Sequence, residues 1–310
     1  MADNGHTAFQ ENKDSEREVA INVGMMRRVI RAIKSLSTSF QFFVYPGGTR
    51  VRSLLINIPT GLSLTLLHGY GIYRPAGIFT APLVEEMAGQ LPANYLQTVA
   101  YPHYRAMLTS KRVSWCELVP DAIIGFTPNG SGFSLAGHWA VYQYTYKLVH
   151  GKGAEVPFPG TTEGYESKYT ETSSATLARV GIYAALHPED FQGRIFNVAD
   201  TQTPSTMRQR WPQIASWFGL KGVAPSATAS ADDLKPSEFV KEHKSKLDEA
   251  GVRGVDMWNS GQLDSYGYWL AFDRQLSLER LKSAGWEEER RPEDGWYEGF
   301  ERFRSARMIG

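Results

Sequence analysis

Apolar and polar positions follow two different spacings along this chain. Residues 15–36 carry valine, methionine and isoleucine at helical spacing with charged residues between them, which predicts an amphipathic helix. The run FQFFVYPGG that follows is almost continuously apolar and ends in Pro-Gly-Gly, a pattern typical of strands buried on both faces of a parallel sheet. The same signature recurs at 115–126 and at 194–200.

Helical patterns separate these strand patterns, at residues 98–109, 137–151 and 173–187. Alternating strands and helices predict an α/β fold with a parallel sheet flanked by helices. The chain offers only about three such strands, fewer than most sheets have. The FFVYP strand has the pattern of a central strand, so it would leave an open edge. We therefore expect an incomplete sheet.

The pattern changes after residue 200. Segments 205–220, 236–251 and 277–287 are predicted helices, and a small, polar, proline-containing loop joins two of them. We expect a sheet domain over 1–200 and a smaller, mostly helical substrate-binding lobe over 201–310, interleaved with the end of the sheet.

Composition excludes several classes of protein. Lys+Arg and Asp+Glu number 33 each, so the basic surplus typical of nucleic-acid binders is missing. The N-terminus has no signal-peptide pattern, and the longest apolar stretch is broken by asparagine, proline and glycine, which predicts no membrane span. The single cysteine, Cys116, lies in an apolar run and is expected to be a buried thiol in a cytoplasmic protein. The histidine, cysteine and carboxylate positions form no metal-ligand pattern.

The stretch TVAYPHYRAML carries the candidate chemistry. Tyr101 opens a predicted helix, and Arg105 follows four residues later. A phenol has a pKa near 10, and a fixed cation beside it lowers that pKa enough for the phenol to act as an acid. The alternative is that Tyr101 is an ordinary aromatic residue at a helix start and Arg105 a solvated cation. His103 is expected to be a surface or packing residue.

An ordered set of motifs resembles a known family. FFVYPGGTR, YGIYRP, YPHYRAML, WCELVPDAIIGFTPNGSGFSLA and FNVADTQTPSTMRQRWPQIASWFGL together look like the progesterone 5β-reductase/iridoid synthase-like branch of the extended short-chain dehydrogenases. The similarity is strongest to members from filamentous fungi, often encoded near secondary-metabolite genes. The resemblance implies a Rossmann-like fold, NADPH, and reduction of a carbonyl or conjugated enone in a small molecule.

The resemblance also assigns residues. Tyr101 falls on the family's catalytic tyrosine, Arg50 on its partner lysine, and Tyr70 on a tyrosine that follows the lysine. Arginine keeps the charge of lysine but transfers protons poorly. The implied cofactor-binding residues are Gly48, Thr49, Pro120, Ile123, Ile124 and Gly125.

Two departures from the family remain. The Gly-rich turn that carries the pyrophosphate in Rossmann folds is absent from the sequence, so we expect a missing front end and weak NADPH binding. Residues 51–69 form an insertion between Arg50 and Tyr70, either a lid or translated non-coding sequence. The alternatives to a reductase are a cofactor-independent isomerase, dehydratase or cyclase, and an inactive fragment from an imperfect gene model. A homodimer is left open.

Overall fold

The computed structural model describes residues 15–48, 51–57, 63–69, 80–90, 100–128, 133–226, 234–254 and 263–310. Helices α1 to α12 are, in chain order, Ser15–Leu36, Ala100–Ser110, Leu135–His150, Thr162–Glu166, Ser174–Leu186, Pro188–Phe191, Met207–Trp217, Pro236–Glu242, Lys244–Glu249, Tyr266–Trp269, Glu279–Ser283 and Pro292–Ser305, and a 3-10 helix spans Glu85–Gly89. Strands β1 to β9 are Phe43–Pro46, Val51–Asn57, Ser63–Gly69, Trp115–Pro120, Ala122–Ile124, Glu155–Pro157, Glu171–Ser173, Arg194–Val198 and Lys221–Val223.

A parallel sheet in the order β1-β4-β8 organises the fold, which confirms the predicted α/β class. Strand β4 lies in the middle, and all six of its residues are buried. Within the described part of the chain β1 pairs only with β4, so it is an edge strand and not the central strand that its pattern predicts. The far edge of β8 is covered, because the Asn197 N–H donates to Oε1 of Glu85 at 2.8 Å.

Two predicted elements are each divided in two. The strand pattern at 115–126 breaks at Asp121, after which β5 turns away from the main sheet and pairs in parallel with β7. The predicted helix at 236–251 divides into α8 and α9 at His243, which leaves the helical conformation with φ −106° and ψ 23°. The apolar patterns at 115–126 and 236–251 each predicted one continuous element, so both breaks correct the prediction.

The largest apolar cluster of the described residues surrounds the fully buried rings of Trp139, Trp211 and Trp296. Trp139 belongs to α3, which packs against α8, α9 and α12. A helix that precedes residue 200 thus lies among helices that follow it. The division at residue 200 stays a prediction.

A buried ion pair joins α7 to β7. Nη2 of Arg210 lies 2.7 Å from Oε2 of Glu171 on β7, and both side chains are at most 4% exposed. Nε1 of Trp296 donates to Oε1 of Glu171 at 2.7 Å, and the Tyr169 hydroxyl donates to the same oxygen. The carboxylate is therefore well supplied with donors, which a buried charge requires.

Residues of the predicted insertion form an antiparallel hairpin of β2 and β3, with Val51 opposite Gly69 and Asn57 opposite Ser63. Among the described helices, none has the length and apolar character needed to cross a membrane. The described side chains also include no group of three or more histidine, cysteine, aspartate or glutamate residues able to hold a metal ion.

Candidate active site

Tyr101 lies in the first turn of α2. Because β1 and β4 are parallel and α2 connects them, α2 runs back along the sheet and begins at the carboxyl edge of the strands, where α/β folds bind ligands. The Tyr101 ring is half-buried and meets the Tyr104 ring edge-on at 5.9 Å. Tyr104 in turn packs edge-on against Tyr45 of β1 at 6.0 Å. Tyr101 is thus held at the carboxyl edge by an aromatic chain.

The turn after β1 is described as far as Gly48, which is buried. The Gly47 N–H donates to the Leu118 carbonyl at 2.6 Å, which holds this turn against β4. Thr49, Arg50 and Tyr70 lie outside the described residues, so their predicted roles stay predictions.

Arg105, the cation nearest to Tyr101 in sequence, has a different partner. Its Nε lies 3.6 Å from Oε2 of Glu117, a fully buried carboxylate in the middle of β4. The Tyr45 hydroxyl donates to the same oxygen at 2.7 Å. Arg105 therefore faces the sheet, and its charge is offset by Glu117.

Burial sets the protonation of this cluster. It raises the pKa of Glu117 to about 7, although Arg105 and the Tyr45 hydroxyl both lower it. Burial and the nearby Glu117 raise the pKa of Tyr45 above its ordinary range, so its phenol stays a neutral donor. Burial also raises the pKa of the Cys116 thiol to about 12, which confirms the expected inert core thiol.

The predicted cofactor-lining run lies at the carboxyl end of β4 and along β5. Pro120 and Ile124 are buried, Gly125 is half-buried, and Ile123 is 45% exposed. A Cβ at Gly125 would lie 2.5 Å from Oγ of Ser174, so close packing against α5 requires glycine there. Ile123 is the member of this run that offers a large apolar side chain to solvent.

A buried arginine supports the same edge. Nε of Arg274 lies 3.1 Å from Oδ2 of Asp121, and its Nη2 donates to the Tyr266 hydroxyl at 3.1 Å. The guanidinium also stands over the Tyr169 ring at 4.8 Å. This cluster joins Asp121, the residue between β4 and β5, to the segment between α10 and α11.

Sequence reasoning missed Glu117 and Arg274. One feature of the sequence pointed to Glu117. It is the single carboxylate in the apolar run WCELVP, and a carboxylate on a strand buried on both faces requires a buried partner. No feature of the sequence pointed to Arg274, because its partner Asp121 is 153 residues away along the chain.

Two fungal proteins are similar to this chain in sequence. Short chain dehydrogenase sirS of Leptosphaeria maculans is 28% identical over 307 residues, covering 94% of this chain and 63% of the relative. Short chain dehydrogenase ausT of Aspergillus calidoustus is 26% identical over 301 residues, covering 93% and 68%. The chain thus spans less than two thirds of the length of sirS.

Solved structures at low identity show the fold alone. A GDP-D-glycero-L-gluco-heptose synthase from Campylobacter jejuni, determined in the presence of NADPH, has a TM-score of 0.55 at 13% identity over 97% of this chain and 79% of that chain. A GDP-mannoheptose C4 reductase from the same organism, with NADP bound, has a TM-score of 0.56 at 13% identity over 97% and 78%.

The family model described as the PRISE-like Rossmann-fold domain matches residues 1–310. This match and the fungal short chain dehydrogenases confirm the resemblance to the extended short-chain dehydrogenases. The chain belongs to the PRISE-like Rossmann-fold domain family.

Proposed function

We propose that this protein is an NADPH-dependent reductase of a carbonyl or conjugated enone in a small metabolite, with Tyr101 as the acid. The observation that carries the proposal is the position of Tyr101 in the first turn of α2, at the carboxyl edge of β1 and β4. The run that begins at Pro120 lies at that same edge. Family membership and the likeness to short chain dehydrogenases support the reaction class.

The residues at this edge fit the nicotinamide end of the cofactor. Ile123 offers an exposed apolar side chain on which a planar ring can rest, and the half-buried Gly125 beside it adds no bulk. The phosphate end has no comparable support in the described residues, because none of them forms a Gly-rich turn that opens a helix at this edge, the arrangement that carries the pyrophosphate in Rossmann folds. We therefore propose weak binding, dominated by the nicotinamide end.

When bound, NADPH supplies a hydride to the substrate carbon and leaves as NADP⁺. The chain's part is to place the substrate oxygen near the Tyr101 hydroxyl, which donates a hydrogen bond to it and then its proton as negative charge develops there. In this proposal Arg50 supplies the positive charge that lowers the phenol pKa, and Tyr70 is the third catalytic residue. Arg50 stays charged throughout, so solvent reprotonates Tyr101.

The proposal extends to the setting of the reaction. We propose a cytoplasmic enzyme of secondary metabolism, supported by the single buried cysteine and by the likeness to fungal dehydrogenases. A homodimer is the proposed assembly if the protein is not monomeric. Size-exclusion chromatography with light scattering tests that assembly.

The reaction is tested by the loss of NADPH absorbance with a panel of ketones and enones. Tyr101→Phe should lower kcat by roughly 10²-fold or more, the usual contribution of a positioned acid. Tyr104→Phe is the matched control, because it removes a hydroxyl from the adjoining ring of the same helix and should change kcat less than threefold. Equal kcat values for Tyr101→Phe and wild type would refute the role of Tyr101 as the acid. If the protein neither consumes NADPH with any ketone or enone nor is stabilised by NADPH against thermal unfolding, the proposal of a reductase is refuted.

A further inference from the structure

A fully buried carboxylate in the central strand of a sheet needs an explanation, and Glu117 is such a residue. Its Oε2 accepts from the Tyr45 hydroxyl on β1 and faces Nε of Arg105 on α2. Its Oε1 has no hydrogen-bond partner in the described structure and lies so close to Gly47 that an added Cβ there would overlap it. Glu117 thus contacts the strand, the turn and the helix that surround it.

Each of these contacts leads to the proposed site. Gly47 is the first residue of the GGTR motif, whose last residue is Arg50. Arg105 is four residues after Tyr101, about 6 Å along the axis of α2. Pro120 is three residues beyond Glu117, about 10 Å along β4. The contact between Arg105 and Glu117 therefore fixes the position of α2 along the sheet. It places the first turn of α2 toward the Pro120 end of β4.

We infer that Glu117 is a positioning residue of the proposed site, which with Tyr45 and Arg105 fixes α2, and so Tyr101, against the sheet. It touches neither substrate nor cofactor and acts through Arg105 and the Gly47 turn. Its effect on turnover rests on the proposed function, whereas its effect on α2 does not.

This contact depends on protonation. The charged and titratable groups around Glu117 are Tyr45 on β1, Arg105 on α2 and Cys116 on its own strand, and its partner on β8 is the apolar Ile195. Burial disfavours the ionised carboxylate by more than Arg105 and Tyr45 favour it, so the pKa of Glu117 is raised to about 7. A state in which α2 lifts and water reaches the carboxylate therefore becomes more populated as the pH rises through that range.

Hydrogen exchange measured by mass spectrometry on the full chain tests the inference without any substrate. The peptide 100–110 is followed about one pH unit below and above 7, corrected for intrinsic exchange, with the α5 peptide 174–186 as internal reference. In the wild type, protection of 100–110 should fall by roughly 10-fold as the pH rises. Glu117→Gln keeps the shape and stays neutral, and should abolish this fall.

Variants of Arg105 test the same contact if Glu117→Gln does not fold. Arg105→Met removes the cation that favours ionisation, so the fall in protection should move to higher pH. Arg105→Lys keeps the charge and should leave the midpoint close to that of the wild type. The inference is overturned if protection of 100–110 falls equally in wild type and Glu117→Gln. It is also overturned if the pH midpoint of that fall is the same in Arg105→Met as in wild type.

Turnover separates this inference from the proposed function. Where NADPH is consumed, kcat should fall over the same pH range as protection, with KM for NADPH unchanged, and Glu117→Gln should flatten that profile. A pH-dependent change at α2 without turnover with any ketone or enone counts against the reductase and supports the positioning role. Turnover without a Glu117-dependent change at α2 counts against the positioning role alone.

Discussion

Glu117 should also make the stability of the whole fold depend on pH. Its carboxyl has a pKa near 4.5 when solvated and about 7 in the folded protein, so between these values the folded state binds more protons than the unfolded one. A carboxyl with a raised folded pKa contributes stability that is complete below its unfolded pKa and is lost as the pH rises through its folded pKa. The loss is therefore spread between about pH 4.5 and pH 7.

The magnitude follows from the same two values. Each pH unit of difference corresponds to about 1.4 kcal/mol, so ionisation of Glu117 should cost the folded state roughly 3 kcal/mol above pH 7. Glu117→Gln lacks this proton equilibrium and keeps an acceptor for the Tyr45 hydroxyl. Its free energy of unfolding relative to wild type should therefore rise by roughly 3 kcal/mol between pH 4 and pH 8.

Urea titrations of wild type and Glu117→Gln at a series of pH values measure this difference. Other buried carboxyls with raised pKa values, among them Glu85, Asp200 and Asp264, contribute equally to both proteins and cancel. Glu155→Gln, a change at an exposed glutamate, is the control and should give a curve parallel to wild type. Parallel curves for wild type and Glu117→Gln would refute the reasoning, because the carboxyl would then have the same proton affinity in both states.

Two further predictions concern the supports of the site. Arg210→Met should lower the free energy of unfolding, measured in urea, by about 3–5 kcal/mol, because it removes the cation that pairs with the buried carboxyl group of Glu171. Lys244→Ala, which breaks an exposed ion pair, should change it by less than about 1 kcal/mol. Gly125→Ala should lower the free energy of unfolding by about 1–3 kcal/mol, because the added Cβ would overlap Ser174. A second change, Ser174→Ala, should recover part of that loss. A Gly125→Ala variant as stable as wild type would contradict the packing argument.

The long elements were predictable from spacing because their periodicity extends over several turns or a whole strand. Helix α1 matches its predicted bounds, and β1, β4 and β8 form the expected parallel strands. Strands of three residues, such as β6 and β9, were not predictable, since each is too short for a periodicity and forms only by pairing with a distant partner. Spacing also did not reveal the break at Asp121, whose side chain pairs with Arg274, a residue far away along the chain.

The sequence predicted only those site residues that belong to the family's motifs. Resemblance selected Tyr101 and the run from Pro120, and both lie at the carboxyl edge of the sheet. Spacing alone also suggested Arg105 as a candidate cation beside Tyr101, because residues four apart share a helix face. Spacing does not say what the face packs against, and here it packs against β4, where Glu117 is buried.

This contact bears on which cation serves the phenol. A positive charge lowers a nearby phenol pKa only as far as no negative charge beside it cancels the field. Arg105 lies 3.6 Å from the carboxylate of Glu117, so when Glu117 is ionised the pair presents little net charge to Tyr101. When Glu117 is protonated, Arg105 remains directed into the sheet by the acceptor oxygen that Tyr45 also uses. In both states Arg105 holds the helix against β4, and this favours the proposal that Arg50 supplies the charge for Tyr101.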